Sequence, residues 1–169
     1  MGEILDIVNE RDIIIDSADR SEFIKKRHLH RSVIIFLFNP KNEIFIHKRP
    51  ADKAIYPNMY DLSIGGAVLS GETYHKAAVR ETREEVGVIN PKLKFLFKER
   101  YKSRLDNTFV AVYKINYGGK LALQKDEIKE GKFFPITKLK ELVKKKRFCP
   151  EVITYFNRLQ KLTQKKKVL

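Results

Sequence analysis

Cysteine and long apolar runs are scarce in this chain of 169 residues, and each absence excludes a class of protein. The single cysteine, Cys149, excludes an internal disulfide bond and a zinc site built from several thiolates. The longest apolar run, residues 33–38, is far shorter than the roughly 20 residues that a membrane-spanning helix needs. The N-terminus lacks the basic and apolar pattern of a secretory signal peptide, so we expect a cytoplasmic protein without membrane contact.

Acidic residues are too few to balance the basic ones, which leaves a formal net charge of +14. From residue 138 to the C-terminus, 11 Lys or Arg stand against two Asp or Glu, so this segment carries +9 and the rest of the chain +5. Such clusters are usually solvated helix faces and chain ends, which argues against nucleic acid as the main partner. The basic C-terminal segment, residues 136–169, is still the place where nucleic acid could bind, and a basic surface also attracts small phosphorylated ligands.

The remaining composition, 43% hydrophobic and 33% charged residues, is typical of a globular protein, and the length fits one domain over residues 1–169. Hydrophobic periodicity predicts strands at residues 5–8, 13–15, 33–39, 44–48, 93–101, 108–117 and 132–134, and helices at residues 21–26, 74–86, 136–145 and 150–161. The first two strands are expected to form a hairpin within residues 1–20, and residues 50–62 a loop. Strands around one central helix, with helices at the end, predict an α/β sandwich with a mixed sheet.

The central predicted helix carries its acidic residues at the unfavourable end. Thr73 is a suitable N-cap and Gly87 a suitable C-terminal glycine, so the helix should run from residue 74 to residue 86. Its last two turns contain Glu81, Glu84 and Glu85. The helix macrodipole is negative there, and each carboxylate is disfavoured by roughly 0.3–1 kcal/mol.

A bound divalent cation would account for these glutamates. Arg80 can pair with Glu84 at a spacing of four residues, whereas we expect Glu81 and Glu85 to lack a local partner. Carboxylates suit Mg²⁺ or Mn²⁺, and Mg²⁺ is usually held by a few carboxylates together with substrate phosphates. From the charges by themselves, a solvated acidic face and a metal site are equally good interpretations.

The spacing around the glutamates resembles the signature of the Nudix hydrolases. Its fixed positions correspond here to Gly66, Glu72, Arg80, Glu81, Glu84, Glu85 and Gly87, followed by apolar Val88. Thr82 differs, because the family usually has an aliphatic residue there, and this difference concerns packing rather than chemistry. The resemblance implies a Nudix-type α/β/α sandwich, a motif over residues 66–88, and hydrolysis of a nucleoside diphosphate linked to another moiety.

The resemblance also implies roles for the charged residues of the motif. The implied metal ligands, for Mg²⁺ or alternatively Mn²⁺, are Glu81, Glu84 and Glu85. Arg80 is implied to orient Glu84 by an ion pair. Glu72 is implied first to organise the loop before the helix and only second to bind the metal.

Glycines and basic residues near the motif are the expected substrate contacts. Gly66, with Gly65 beside it, is implied to bring the backbone close to the metal or the diphosphate, which a glycine permits without a steric penalty. Lys48 and Arg49 are candidate phosphate contacts, with a solvated surface as an equally good interpretation.

Weaker matches over residues 5–142 resemble the bacterial Nudix hydrolases related to isopentenyl-diphosphate isomerase. That subgroup has a glutamate after its long strands that reaches the metal site, and its match here is Glu127, with Glu130 as the fallback. The subgroup makes an isomerase the competing enzyme. Since Gly65 stands at the position of the isomerase's reactive cysteine and Ala67 replaces one of its histidines, we expect a hydrolase.

Two further functions stay open: a domain that only binds nucleotides or RNA, and a hydrolase of RNA 5′ ends. A pure binder gains nothing from three repulsive acids facing a polyanion, which disfavours the first. The sequence therefore predicts an enzyme whose partner is a small diphosphate-bearing molecule.

Overall fold

The computed structural model describes residues 2–53, 55–103 and 106–165. Its strands are β1 (Ile4–Val8), β2 (Ile14–Asp19), β3 (His30–Phe38), β4 (Glu43–Lys48), β5 (Tyr60–Asp61), β6 (Ile64–Ala67), β7 (Lys94–Lys102), β8 (Asn107–Asn116) and β9 (Glu130–Pro135). Its helices are α1 (Arg20–Lys26), α2 (Tyr74–Val86), α3 (Ile136–Lys145) and α4 (Pro150–Lys165).

The main sheet has the order β5-β4-β3-β8-β7, with β6 also paired to β3 and β9 to β4. The β3–β8 pair is parallel and the other pairs are antiparallel, so the sheet is mixed, as the sequence predicts. β1 and β2 form a separate two-stranded sheet, which is the predicted N-terminal hairpin.

Alternation along β3 divides the core into two layers. Val33, Ile35 and Leu37 pack in the cluster that contains α2 residues, whereas Phe36 and Phe38 pack in the cluster that contains α3 and α4 residues. Successive side chains of a strand point to opposite faces, so each face of the sheet is covered by helices. The result is an α/β/α sandwich.

Helix α2 begins and ends where the sequence predicts. The Thr73 hydroxyl accepts a hydrogen bond from the Lys76 amide at 3.2 Å, and Gly87 ends the helix in the left-handed region at φ 72°. Thr82 is buried, and its hydroxyl donates to the Ala78 carbonyl at 2.7 Å. The residue that differs from the family pattern is thus packed and hydrogen-bonded.

The prediction of a loop over residues 50–62 is wrong for the end of that range, because residues 60–61 form β5 beside β4. β6 then follows from residue 64 and pairs with β3. Two- and four-residue strands have too few alternating positions to be detected by periodicity. None of the described helices is long and apolar enough to cross a membrane.

Candidate active site

Arg80 ties the loop before α2 to the helix. Its guanidinium makes a two-pronged ion pair with Glu72, with Nε to Oε1 at 2.9 Å and Nη2 to Oε2 at 3.0 Å, and Nη2 also donates to the Ala67 carbonyl at 2.9 Å. Glu72 accepts a further hydrogen bond from the Leu69 amide at 3.0 Å. Although burial opposes its charge, the hydrogen bonds from Arg80 and Leu69 lower the pKa of Glu72. The geometry gives Glu72 a structural position between β6 and α2.

The same guanidinium contacts two of the three helix glutamates. Arg80 Nη1 lies 2.6 Å from Glu81 Oε1 and 3.2 Å from Glu84 Oε2. The expectation that Glu81 lacks a local partner is therefore wrong, because the Arg80 side chain folds back along its own helix. The Glu84 side chain is 41% exposed and can reach a bound ligand.

Glu85 is the buried member of the acidic cluster, with 5% of its surface exposed. Its Oε1 accepts a hydrogen bond from the Gly65 amide at 2.8 Å, so this glutamate has a partner outside the helix. Burial, followed by the negative charge of Glu81, raises the pKa of Glu85 well above its ordinary value. The pKa of Glu81 is also raised, chiefly by burial.

The two glycines of β6 let these carboxylates approach the strand. A Cβ at Gly66 would lie 2.6 Å from Glu81 Oε1. Gly65 has φ 147°, and a Cβ there would lie 2.1 Å from the Val33 carbonyl oxygen. The sequence motif emphasises Gly66, yet the stricter backbone constraint belongs to Gly65.

The carboxylates of this cluster are of the kind that a divalent cation prefers. Among the described residues, no group of three or more His, Cys, Asp or Glu side chains is already arranged to hold a metal ion. The chemistry still fits, because Glu81 and Glu85 supply hard carboxylate oxygens and both carboxylates are shielded from water beside one another. Arg80 supplies positive charge to Glu81 and Glu84 through ion pairs of 2.6 and 3.2 Å.

A cavity of about 330 Å³ opens beside Glu85 and the β6 glycines. Its basic wall includes Arg49 and Lys53. Arg49 donates to the Ile55 carbonyl at 3.2 and 3.3 Å, which holds the guanidinium at the wall. Lys48 is not among the lining residues, and its ammonium lies 5.9 Å from the Tyr60 ring.

Glu127 lies in the turn before β9, where its Oε1 is 2.5 Å from Lys53 Nζ. Its negative charge contributes to the raised pKa of Glu85, after burial and Glu81, so the two carboxylates lie within electrostatic reach. The fallback, Glu130, is exposed on β9.

The cavity extends from Glu85 to a group of residues that the sequence does not connect with the motif. These are Asp61 of β5, Tyr101 of β7, Asp106 before β8, and Glu151 and Tyr155 of α4. Glu151 is an acid within a strongly basic segment, between buried Cys149 and Val152, and this contrast is the sequence signal that could have singled it out.

Two histidines at the cavity have partners at Nε2, whereas their Nδ1 atoms have no hydrogen-bond partner within the described part of the chain. His47 Nε2 lies 2.7 Å from the Ser63 carbonyl, which accepts its hydrogen bond, and His30 Nε2 lies 3.6 Å from Asp106 Oδ1. Burial lowers the pKa of both imidazoles, so their neutral forms are favoured. Cys149 is buried, and burial raises the pKa of its thiol, which makes it a poor proton donor or nucleophile.

An α/β/α sandwich that presents clustered helix glutamates to a strand glycine pair has the arrangement of a diphosphate hydrolase. The model of the NUDIX domain matches residues 28–155, so the chain belongs to the Nudix hydrolase family. An uncharacterized Nudix hydrolase of Streptomyces coelicolor is 34% identical over 160 residues, which cover 94% of this chain and 88% of that protein.

Two further relatives are informative. The crystal structure of a Deinococcus radiodurans protein superposes with a TM-score of 0.78 at 28% identity and covers 92% of this chain and 98% of its own. A prenyl-diphosphate phosphatase of Methanosarcina mazei is 38% identical over 91 residues, which cover 54% of this chain and 52% of that protein.

These findings confirm the predicted family, the α/β fold with a central mixed sheet, and an enzyme of the type that hydrolyses diphosphate bonds. Members of the family generally use divalent metal ions such as Mg²⁺.

Proposed function

We propose that this protein is a Mg²⁺-dependent hydrolase that cleaves the diphosphate bond of a nucleoside diphosphate linked to another moiety. The observation that carries the proposal is the approach of two shielded carboxylates, Glu81 and Glu85, to the Gly65–Gly66 pair at the wall of a cavity. Glu81 and Glu85 repel each other in a shielded site, and among the described ion pairs Arg80 reaches Glu81 and Glu84 but not Glu85, so a bound cation would compensate the remaining charge. Mn²⁺ suits the same oxygen ligands.

The cation ligands in this proposal are Glu81, Glu84 and Glu85. When bound, the ion neutralises charge on the diphosphate and favours attack by water on phosphorus. Arg80 holds Glu81 and Glu84 in position through its two short contacts. Glu84, the most exposed of the three, and Glu127 are the carboxylates that we assign to positioning the water and accepting its proton.

The remaining residues bind and shape the substrate site. Arg49 offers its guanidinium to phosphate oxygens from the cavity wall, and Lys48, which lies outside the lining, is the weaker candidate. Glu72 keeps the loop before α2 closed through Arg80. We place the reaction in the cytoplasm, because the buried unpaired thiol of Cys149 suits a reducing compartment. The proposed substrate is a small molecule.

A prenyl diphosphate is the second candidate substrate. It is favoured by the segment shared with the prenyl-diphosphate phosphatase, at 38% identity. Apolar side chains such as Phe23, Ile34 and Val152 line part of the cavity. An isomerase has less support, because Gly65 occupies the position of the isomerase's cysteine and Cys149 is not among the cavity-lining residues.

Glu84→Gln and Glu85→Gln test the proposal, with Glu141→Gln at an exposed position of α3 as the matched control. We expect each of the first two to lower turnover at least about 100-fold, because each loses a negative charge at the reacting centre. The melting temperature of the metal-free protein should stay unchanged or rise, since a repulsive charge has been removed.

Turnover is measured as release of phosphate or nucleoside monophosphate from a panel of nucleoside diphosphate and prenyl diphosphate compounds. Glu141→Gln should keep the wild-type rate. Wild-type rates in both site variants, or no cleavage of any compound by the wild-type protein with Mg²⁺ or Mn²⁺, would refute the proposed function.

A further inference from the structure

The cavity has a second polar end, formed by residues outside the motif, which the diphosphate chemistry leaves unused. Tyr101, Asp106, Glu151 and Tyr155 line this end, and we call these four residues the α4 subsite. They come from β7, the segment before β8, and α4, so three separate parts of the chain meet here.

Tyr155 is the most informative member of the α4 subsite. Its surface is 1% exposed, and within the described part of the chain its hydroxyl has no hydrogen-bond partner. Its ring packs edge-on against Tyr101, with centroids 6.0 Å apart, and beside Phe97 at 6.4 Å. A buried hydroxyl without a partner is unfavourable, and it is usually paired when the site is filled.

The carboxyl groups of Glu151 and Asp106 line the same part of the cavity as this hydroxyl and offer acceptor oxygens there. Glu151 precedes Tyr155 by one helical turn, so both side chains lie on the same face of α4. The Tyr101 hydroxyl lies near enough to Glu151 to lower the pKa of that carboxyl, but it is not the largest effect. Burial, followed by the charges of Asp61 and Asp106, raises the pKa of Glu151 to about 7. The carboxyl groups of Asp61, Asp106 and Glu151 are thus crowded, and their oxygens offer acceptors to a ligand that carries hydrogen-bond donors.

A hydrocarbon chain would be a poor occupant of this end. It would exclude water from Glu151 and Asp106 and would leave the Tyr155 hydroxyl unpaired, and polar groups buried in this way are costly. Hydroxyl or amino groups would instead donate to the carboxylates and pair with the phenol. The lining chemistry therefore matches a moiety rich in hydrogen-bond donors.

We infer that the α4 subsite receives the group attached to the diphosphate and selects groups that carry hydroxyl or amino donors over hydrocarbon chains, with Tyr155 and Glu151 as the specificity-determining residues. This inference rests on the proposed diphosphate hydrolysis. It separates the two substrate classes left by that proposal and favours the nucleoside diphosphate class whose second moiety is polar.

Tyr155→Phe and Glu151→Gln test the inference, because the first removes a hydroxyl, the second replaces a carboxylate acceptor oxygen by an NH₂ donor, and each keeps the shape of the side chain. Tyr113→Phe is the matched control, since Tyr113 lies on the other face of the sheet, in the cluster that contains α2 residues. The probes are a nucleoside diphosphate hexose, a nucleoside diphosphate ethanolamine and geranyl diphosphate.

We expect the wild-type protein to prefer one of the donor-bearing compounds over geranyl diphosphate at least about tenfold in kcat/KM. Tyr155→Phe and Glu151→Gln should each reduce that preference about tenfold, mainly through a higher KM for the donor-bearing compound, and Tyr113→Phe should not. A preference for the hexose identifies hydroxyl donors and one for the ethanolamine compound identifies an amine; both support the inference.

Calorimetric titration of the same compounds into the Glu84→Gln variant separates this inference from the proposed function. If the wild-type protein cleaves no probe, the proposed function fails, and the ratio of binding affinities still tests the subsite. A preference for geranyl diphosphate, or a preference that Tyr155→Phe and Glu151→Gln leave unchanged, overturns the inference.

Discussion

Single residues of the motif act through constraints of different kinds. Arg80 acts through hydrogen bonds, because one guanidinium reaches the loop at Glu72 and the helix at Glu81 and Glu84. A lysine could not reproduce this fork of contacts. Gly65 acts through sterics, because β6 passes so close to β3 that no side chain fits.

Gly65→Ala should destabilise the protein more than Gly71→Ala. Both glycines have a positive φ, 147° at Gly65 and 79° at Gly71. A Cβ at Gly65 would lie 2.1 Å from the Val33 carbonyl oxygen, whereas a Cβ at Gly71 would have no neighbouring atom within 4 Å. We expect a loss of about 3 kcal/mol or more for Gly65→Ala and about 1 kcal/mol for Gly71→Ala.

Denaturant unfolding of the two variants measures the difference. Equal losses would show that backbone conformation, rather than the approach of β3, makes glycine necessary at position 65.

The structure accounts for how much of this site could be predicted from the sequence. Arg80, Glu81 and Glu84 lie on one helix, so residue spacing was enough to place them on the same or the neighbouring turn. The partner of Glu85 is the amide of Gly65, which comes from another element. That contact depends on how α2 packs on β6, and spacing along the chain does not determine packing.

Among the elements, the N-terminal hairpin contacts the rest of the fold through an aspartate in its turn, in addition to backbone hydrogen bonds such as that from the Val8 amide to the Leu29 carbonyl and to the Glu10–Arg100 ion pair. Asp12 accepts hydrogen bonds from Arg31 Nε at 2.6 Å and from the Tyr74 hydroxyl at 3.0 Å, and it forms an ion pair with Lys98.

The cavity is lined in part by Leu5 of β1, by residues 20 and 23 of α1 and by residue 27 directly after α1. The family model begins only at residue 28, after all of these. The hairpin and α1 thus form a wall of the site that lies outside the matched residues, and Asp12 ties the turn of the hairpin to β3 and β7.

Asp12→Asn should loosen this wall. Asparagine tolerates the left-handed backbone at φ 62° but loses the charge that pairs with Arg31 and Lys98. Burial opposes the Asp12 charge, but hydrogen bonds from Lys98, Arg31 and Tyr74 outweigh it and lower the Asp12 pKa. We expect a loss of about 1–3 kcal/mol.

Hydrogen exchange should show the change as faster exchange of the β1 and β2 amides, with the main sheet less affected. Because the pKa is lowered, the stabilisation by Asp12 is present above its ordinary value of 3.8 and is lost as the pH falls through its folded-state pKa. Asp16→Asn on exposed β2 is the control. Uniform exchange across all elements would contradict an anchoring role for Asp12.

At the scale of the whole molecule, charge is distributed unevenly. The chain carries a net charge of +14, yet two shielded glutamates, Glu81 and Glu85, lie at the candidate site. Under the proposed function, the net positive charge favours the approach of an anionic substrate, and a bound cation would offset the repulsion between that substrate and the glutamates. Strong salt dependence of binding would instead indicate RNA as the partner, through counterion release.

The metal-free stability of the whole molecule should depend on pH through Glu85. Its folded-state pKa is raised above the ordinary value of 4.5, so the folded protein retains a proton that the unfolded chain releases. Stability is therefore lost as the pH rises from about 4.5 through the folded-state pKa. Glu85→Gln should lack this loss, so its advantage in melting temperature over the wild-type protein should grow with pH.

Thermal unfolding in a chelating buffer from pH 4.5 to pH 8 measures this difference. In a buffer without chelator, added Mn²⁺ or Mg²⁺ should raise the melting temperature of the wild-type protein more than that of Glu85→Gln. A constant difference across the pH range, with equal responses to the metal ions, would show that Glu85 neither retains a proton nor binds the ion.

Local patterns in the amino-acid sequence determined α2 with its caps, the alternation that gives β3 two buried faces, and the order of the motif. Each of these depends on residues a few positions apart, whose geometry follows from the helical or strand repeat. The tertiary structure decided that Glu85 of α2 shares a cavity with Glu151 and Tyr155 of α4, and that β3 pairs with β8 in parallel. Those neighbours are set by packing between distant parts of the chain, because strand pairing and core burial, rather than any local repeat, bring them together.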